Sequence, residues 1–181
     1  LNTWDDFLTY KVQSGDLGFQ IGTQQNGTAY VSLGQVGSGN LAITSDPGVF
    51  KINEWQHVAI RYDGSYLCLF VNGEKIGETF GDADRIIVDE PIYFGQGPGN
   101  GTYFNGEIDE VRFWNTSRSN AELSEFMTAR LFGDEEGLVG YWDFDGPVPS
   151  DTTIVDKTGR GNVGTLVNNP SFSSESMSLS D

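Results

Sequence analysis

Three acids stand within four consecutive residues, Glu107-Ile108-Asp109-Glu110. Paired carboxylates are the chemistry they first suggest, because retaining glycoside hydrolysis needs two carboxyl groups about 5 Å apart. The stretch GEIDEVRFWN sets Ile108, Glu110, Arg112 and Trp114 against Asp109, Val111 and Phe113, the alternation of a long strand. On such a strand Glu107, Asp109 and Val111 share one face and Glu110 points to the other. The position four residues beyond Glu107 is a valine. The sole histidine, His57, opens a strand and reads as structural, and no Ser-His-Asp motif accompanies it. The expectation is a protein without catalytic residues, not an enzyme.

Binding chemistry has more to work with. A sugar site combines an aromatic face for the C–H surface of the ring with a few amide or carboxylate partners for its hydroxyls, held on loops over a rigid sheet. The loop GQGPGNGTYFNG supplies Gln96, Asn100, Tyr103 and Asn105, with Phe104 turning inward as the next strand begins. The bland alternative is that Gly and Asn only serve the turns while Tyr103 covers the core. Trp4, beside Asp5 and Asp6, is a second, weaker platform. Trp55, Trp114 and Trp142 begin or lie in strands and read as core.

For metals, one Cys and one His exclude a zinc cluster. Surplus Asp and loop carbonyls suit a hard cation such as Ca²⁺, which takes 6 to 8 oxygen ligands. Asp143, Asp145 and Asp156 form an acidic group beside turns, and their bland reading is solvated turn residues.

Composition bounds the rest. With 10 Lys+Arg against 26 Asp+Glu in 181 residues, the formal charge is -16, which repels phosphate backbones and anionic leaflets and excludes nucleic acid as a partner. No apolar run approaches the roughly 20 residues that span a bilayer, so membrane insertion is not expected. Cys68 sits inside YLCLFV as a small core residue. Leu1 is no initiator, so the numbering is expected to begin inside a longer or processed precursor. Three sequons, at Asn26, Asn100 and Asn115, are compatible with export.

The elements that must position these residues are mostly strands. Short alternating runs such as FLTYK, LGFQIGTQ and TAYVSLG, separated by Gly, Asn and Asp, argue for an antiparallel sandwich. Val58, Ile60 and Tyr62 form one face of a half-buried strand ending at Asp63-Gly64. Tyr66 to Val71 is apolar on both faces, so it is expected to be central, and Asn72-Gly73 turns the chain into EKIGETF. One helix is predicted over 119–129. Ser119 and Glu122 form a capping box, Leu123, Phe126 and Met127 an apolar stripe, and Gly133 a stop. LVGYWDF is a further strand, and six Ser among the last eleven residues suggest a tail or linker over 171–181 after one domain over 1–170.

The order EWQHVAIRYDG, LFVNGEKIGE, a Gly-rich loop, FNGEIDEVRFWNTSRSNAELSEFM and GDEEGLVGYWDFDG resembles the laminin-G-like, concanavalin A-like jelly-roll family, its pentraxin-related branch in particular, over about 51–166. The resemblance implies an all-β fold, two antiparallel sheets in a jelly-roll sandwich with one short surface helix. It also implies an extracellular or cell-surface setting, with glycan binding as a lectin-like module of a larger protein, adhesion, or structural contacts with neighbouring domains. Glycosidases of this fold class carry a Glu-Ile-Asp-x-Glu pattern, whose last acid is Val111 here. In related jelly rolls an acid at the position of Asp109 helps hold a structural calcium with residues of the N-terminal strand, which makes Asp109, with Asp143 and Asp145, the candidate metal set. Relatives also carry an opening strand with a Phe-Asp-Gly-like step and an apolar Trp-bearing strand before the region of Leu1. Those strands precede Leu1, or are replaced by the tail after Gly137, or are completed by another chain.

Overall fold

A computed structural model describes residues 4–11, 17–35, 39–81, 91–97, 103–145, 152–173 and 179. The chain groups into two compact units, Leu1–Gly106 and Glu107–Asp181. In the first lie β1 (Trp4–Lys11), β2 (Leu17–Gln24), β3 (Ala29–Gln35), β4 (Gly39–Thr44), β5 (Val58–Tyr62), β6 (Tyr66–Val71), β7 (Glu74–Phe80) and β8 (Ile92–Phe94). In the second lie β9 (Val111–Trp114), α1 (Asn120–Phe126), β10 (Leu138–Trp142), β11 (Thr153–Ile154) and β12 (Gly164–Thr165).

The first unit is an antiparallel sandwich, of the all-β class expected for the chain. One sheet runs β4-β3-β2-β1-β8 and the other β5-β6-β7. Alternation decides what faces inward: Ile21, Ala29, Val31, Leu41 and Ile43 of the larger sheet meet Leu67 and Leu69 of the smaller, with Val58, Ile60, Tyr62 and Ile76 around them. As its apolar composition requires, β6 is central, and all its residues after Tyr66 are buried, Cys68 among them. Asn72 and Gly73 both have positive φ (51° and 79°), the two-residue hairpin turn whose twist matches that of the strands. At the β2–β3 turn Gly27 is held at φ 77° against the Phe50 carbonyl, which a Cβ would meet at 2.4 Å, so no other residue fits there.

In the second unit β9 pairs antiparallel with β10, and β11 with β12. Leu131, Leu138 and Tyr141 form its buried cluster, with Trp114 and Phe126 packed on them. The capping box of α1 is present as expected: the Ser119 side chain accepts from the Glu122 N–H, and Glu122 accepts from the Ser119 N–H at 2.7 Å. Arg118 lies 3.9 Å over the Trp114 ring, pairs with Glu122 at 2.9 Å and donates to the Glu136 carbonyl. These contacts tie the helix start to β9.

Three expectations are corrected. The helix ends at Phe126, with Met127 as its cap, rather than at Ala129, because Arg112 takes the Phe126 carbonyl (2.5 Å), which the Arg130 N–H would use in a helix reaching Ala129, and holds the Ala129 carbonyl at 2.8 Å as well. The strand expected over 106–115 begins only at Val111, because Glu110 has φ 55°, a left-handed conformation that breaks extended alternation at a cost of roughly 1 to 3 kcal/mol. Trp55 is not core: it stands 38% exposed. Trp142 is buried and Trp114 half-buried, as expected.

Leu69 is fully buried between the sheets, so Leu69→Ala should lower stability by about 2 to 5 kcal/mol, whereas Phe132→Ala, at an exposed side chain, should stay within about 0.5 kcal/mol. Urea unfolding of both variants checks the pair, and equal losses would refute this assignment of the core.

Candidate functional site

Two residues of the Gly-rich loop, Gln96 and Tyr103, pair next to β8 at the edge of the larger sheet. There β8 pairs with β1, Tyr93 opposite Thr9. The chain then turns at Gly95 (φ 76°) and returns so that Gln96 and Tyr103 form an antiparallel bridge, with the Phe104 N–H donating to the Gly95 carbonyl at 3.0 Å. The loop is thereby closed at its base. Residues opposed across such a pair project to the same side of it, so Gln96 and Tyr103 share one face of the bridge. Tyr103 is 52% exposed, so it does not cover the core, and Asn105 is exposed two residues on. Asn100 lies outside the described residues, as does the side chain of Trp4, whose backbone opens β1.

Sheet register also aligns residues that the sequence reading did not single out. Thr9 pairs with both Tyr93 and Gln20, Gln20 with Ser32, and Ser32 with Ala42. Their neighbours Ile21, Val31, Leu41 and Ile43 face the core, so Tyr93, Gln20 and Ser32 share the opposite face. Tyr93 is 40% exposed, while the Ser32 hydroxyl is buried with no hydrogen-bond partner among the described residues. The alternation Ile92-Tyr93-Phe94 could have marked Tyr93; only strand order brings it into line with Gln20.

The acids are differently employed. Glu107 is exposed, and the half-buried Asp109 accepts from the Glu110 N–H at 2.9 Å. Both precede β9 rather than lining its face. Glu110 is buried against Arg112 and accepts from the Tyr141 hydroxyl at 3.0 Å. Burial pushes its carboxyl above the ordinary range, outweighing the opposing pull of Arg112 and Tyr141. Burial, then the neighbouring Glu110, likewise pushes the Tyr141 hydroxyl up. The His57 N–H donates to the Asn72 side chain at 2.9 Å, and its carbonyl accepts from the Asn72 N–H, so its backbone closes a hairpin.

Asp143 pairs with Lys157 at 2.8 Å and Asp145 faces Arg130 at 3.7 Å. Among the described residues no three His, Cys, Asp or Glu side chains gather in a set that could hold a metal ion. Asp143 and Asp145 thus each stand beside a protein cation. Asp156 is no solvated turn residue either. It is 4% exposed and accepts from the N–H groups of Tyr141 (3.1 Å), Thr158 (3.0 Å) and Asn162 (3.2 Å), from the Thr158 hydroxyl (2.7 Å) and from the Asn162 amide (2.8 Å).

Burial alone would raise the Asp156 carboxyl, but the donors of Thr158, Tyr141 and Asn162 outweigh it and hold it below its ordinary 3.8. Bonds from Ser119, then from Arg118, hold Glu122 down at about 2. Depressed carboxyls contribute stability above their unfolded pKa and lose it as pH falls through the folded value, so stability should decline from pH near 4 towards 2. Asp156→Asn, which turns one acceptor into a donor facing donors, should cost about 1 to 3 kcal/mol at pH 7 and make that acid decline shallower. Thermal unfolding across pH 2–7 tests this; an unchanged acid slope would be the contrary result.

Residues 1–124, from before β1 into α1, match the family described as the Concanavalin A-like lectin/glucanases superfamily. No curated protein matches the chain in sequence. Among solved structures it is similar to a "putative carbohydrate binding protein" from Bacteroides ovatus ATCC 8483, with 24% identity and a TM-score of 0.60 over 90% of this chain and 53% of that one. The chain thus spans about half the length of that structure. It is also similar to an S-layer domain-containing protein from Clostridium thermocellum ATCC 27405, with 22% identity and a TM-score of 0.40 over 70% and 65% of the two chains. At 24% identity the Bacteroides ovatus structure speaks for the fold alone. The family match takes in the whole sandwich of the first unit and the Gln96–Tyr103 bridge at its edge, and the chain belongs to the concanavalin A-like lectin/glucanases superfamily.

Proposed function

We propose that this chain is a non-catalytic carbohydrate-binding module of an extracellular or cell-surface protein, with its ligand site at the closed base of the Gly-rich loop. The observation that carries the reading is the Gln96–Tyr103 bridge, which opposes an exposed tyrosine and a glutamine next to the sheet edge. Asn105 and Tyr93 add polar and aromatic surface, and Asn100 belongs to the same loop by sequence. Such a surface suits a pyranose, whose C–H face stacks on a ring while its hydroxyls bond to amides. The non-catalytic part rests on the acids. Glu110 is committed to Arg112 and Tyr141, and Glu107 and Asp109 lie off the strand that would align a pair. The description of the Bacteroides ovatus protein as carbohydrate binding agrees with the reading.

A second reading, a structural or adhesion domain making protein contacts, is favoured by the exposed Val155, Val163 and Val167 around the β11–β12 ribbon. A glycan array separates the two. Saturable binding that Tyr103→Ala weakens about tenfold or more, equivalent to about 1.4 kcal/mol, supports the module; absence of binding to every glycan favours the adhesion reading. Reducing ends or unsaturated products released from polysaccharides would refute the non-catalytic claim.

Calcium is a separate proposal, at Asp109 with Asp143 and Asp145 as further candidate ligands. If one site binds only the native state, calcium at 100 times its dissociation constant should add about 2.7 kcal/mol, several degrees in melting temperature, and Asp109→Ala should erase the gain. Identical melting with calcium and with chelator would refute it.

A further inference from the structure

The connection between β4 and β5 does more than join strands. Its backbone is clamped at both ends: the Gly48 N–H donates to the Asn26 carbonyl (2.9 Å), the Phe50 N–H to the Gly27 carbonyl (2.8 Å), and the Lys51 N–H to the Gln56 side chain (2.6 Å), whose amide in turn donates to the Val49 carbonyl (3.2 Å). Val49 and Phe50 pack against the core cluster, and the Lys51 ammonium is turned back onto the Gly48 carbonyl at 2.5 Å. Asn53 sits at φ 59° at the tip. On this prebuilt frame Ile52 is 80% exposed and Trp55 is 38% exposed, while Asn53 and Glu54 stand in solvent between them. The Trp55 indole has neither a hydrogen bond nor a ring partner among the described residues.

We propose that this loop is a second glycan-contact point, separate from the Gln96–Tyr103 edge, in which the Trp55 indole stacks on one uncharged pyranose ring and Asn53 and Glu54 take its hydroxyls. Two apolar side chains are far short of the roughly 800 Å² per partner that a stable protein interface buries. One aromatic face with an amide and a carboxylate beside it matches the size and polarity of a single sugar. Because the loop is already ordered by its own hydrogen bonds, binding immobilises little backbone. Two contact points on one module would let a polysaccharide chain engage with an avidity that neither supplies alone.

The test is calorimetric titration of the intact chain with soluble cello-, xylo-, manno- and galacto-oligosaccharides, short enough to fill one site. The unsubstituted chain should bind two equivalents of the recognised sugar, Trp55→Ala one, Tyr103→Ala one, and the double variant none. Unchanged stoichiometry and affinity in Trp55→Ala overturns the second site. Loss of binding through Tyr103→Ala alone overturns it while the edge site stands, and loss through Trp55→Ala alone upholds it while the edge site falls. Absence of any binding overturns both. A measurement free of folding effects uses 5-fluorotryptophan in the unsubstituted chain, where four Trp give four signals. The Trp55 signal, assigned with Trp55→Phe, should shift on saturation with the oligosaccharide; a Trp55 signal unmoved by bound sugar overturns the proposal.

Discussion

The buried guanidinium of Arg112 organises the second unit. It sits on β9, reaches the Glu110 carboxylate, lies 5.5 Å over the Tyr141 ring and donates to the carbonyls of Phe126 and Ala129. A buried charge stripped of its partner costs about 3 to 5 kcal/mol, so strand, helix end and β10 must assemble around it together. Two features follow. The helix cannot run past the point where its carbonyls are given to the arginine. Glu110 turns into the left-handed region as its carboxylate joins the same group, which sets the start of β9. Of the three acids that first suggest hydrolysis, Glu110 is thereby tied into the packing of the second unit.

In the first unit the governing constraint is the period of two along each strand. Once Ile21, Val31, Leu41 and Ile43 face Leu67 and Leu69, the residues between them have no choice but the other face, and Gln20 and Ser32 come into line with Tyr93 through β1. Strand order matters as much as alternation. Because β8 pairs with β1 and not with its sequence neighbour β7, the Gly-rich loop opens from a sheet edge, where an aromatic side chain can remain in solvent without exposing core.

The carboxylates show how a strongly acidic chain uses its charge. Asp143, Asp145 and Glu122 meet Lys157, Arg130 and Arg118, and Asp156 accepts five hydrogen bonds from the turn that surrounds it and from β10. These acids hold backbone and neighbouring side chains in place, and the exposed polar surface of the sheet edge is furnished by amides and aromatic rings.

What the sequence determined by itself is whatever depends on a few adjacent residues. The Asn72-Gly73 hairpin, the doubly apolar β6, the Ser119–Glu122 capping box and the resemblance to the jelly-roll family were all legible, since turns, alternation and caps are local in origin. Tyr103 and Gln96 could be named as candidates from their types. Tertiary structure alone decided that they oppose each other across a bridge, that Tyr93 falls into line with Gln20 by strand order, that Trp55 stands partly in solvent, and where β9 begins and α1 ends. The reason is the distance along the chain between the groups that settle each point. Arg112 and Phe126 are 14 residues apart, and Tyr141 and Asp156 are 15. Whether an arginine intercepts a helix carbonyl, or an aspartate is enclosed by donors, depends on segments that only folding brings into contact.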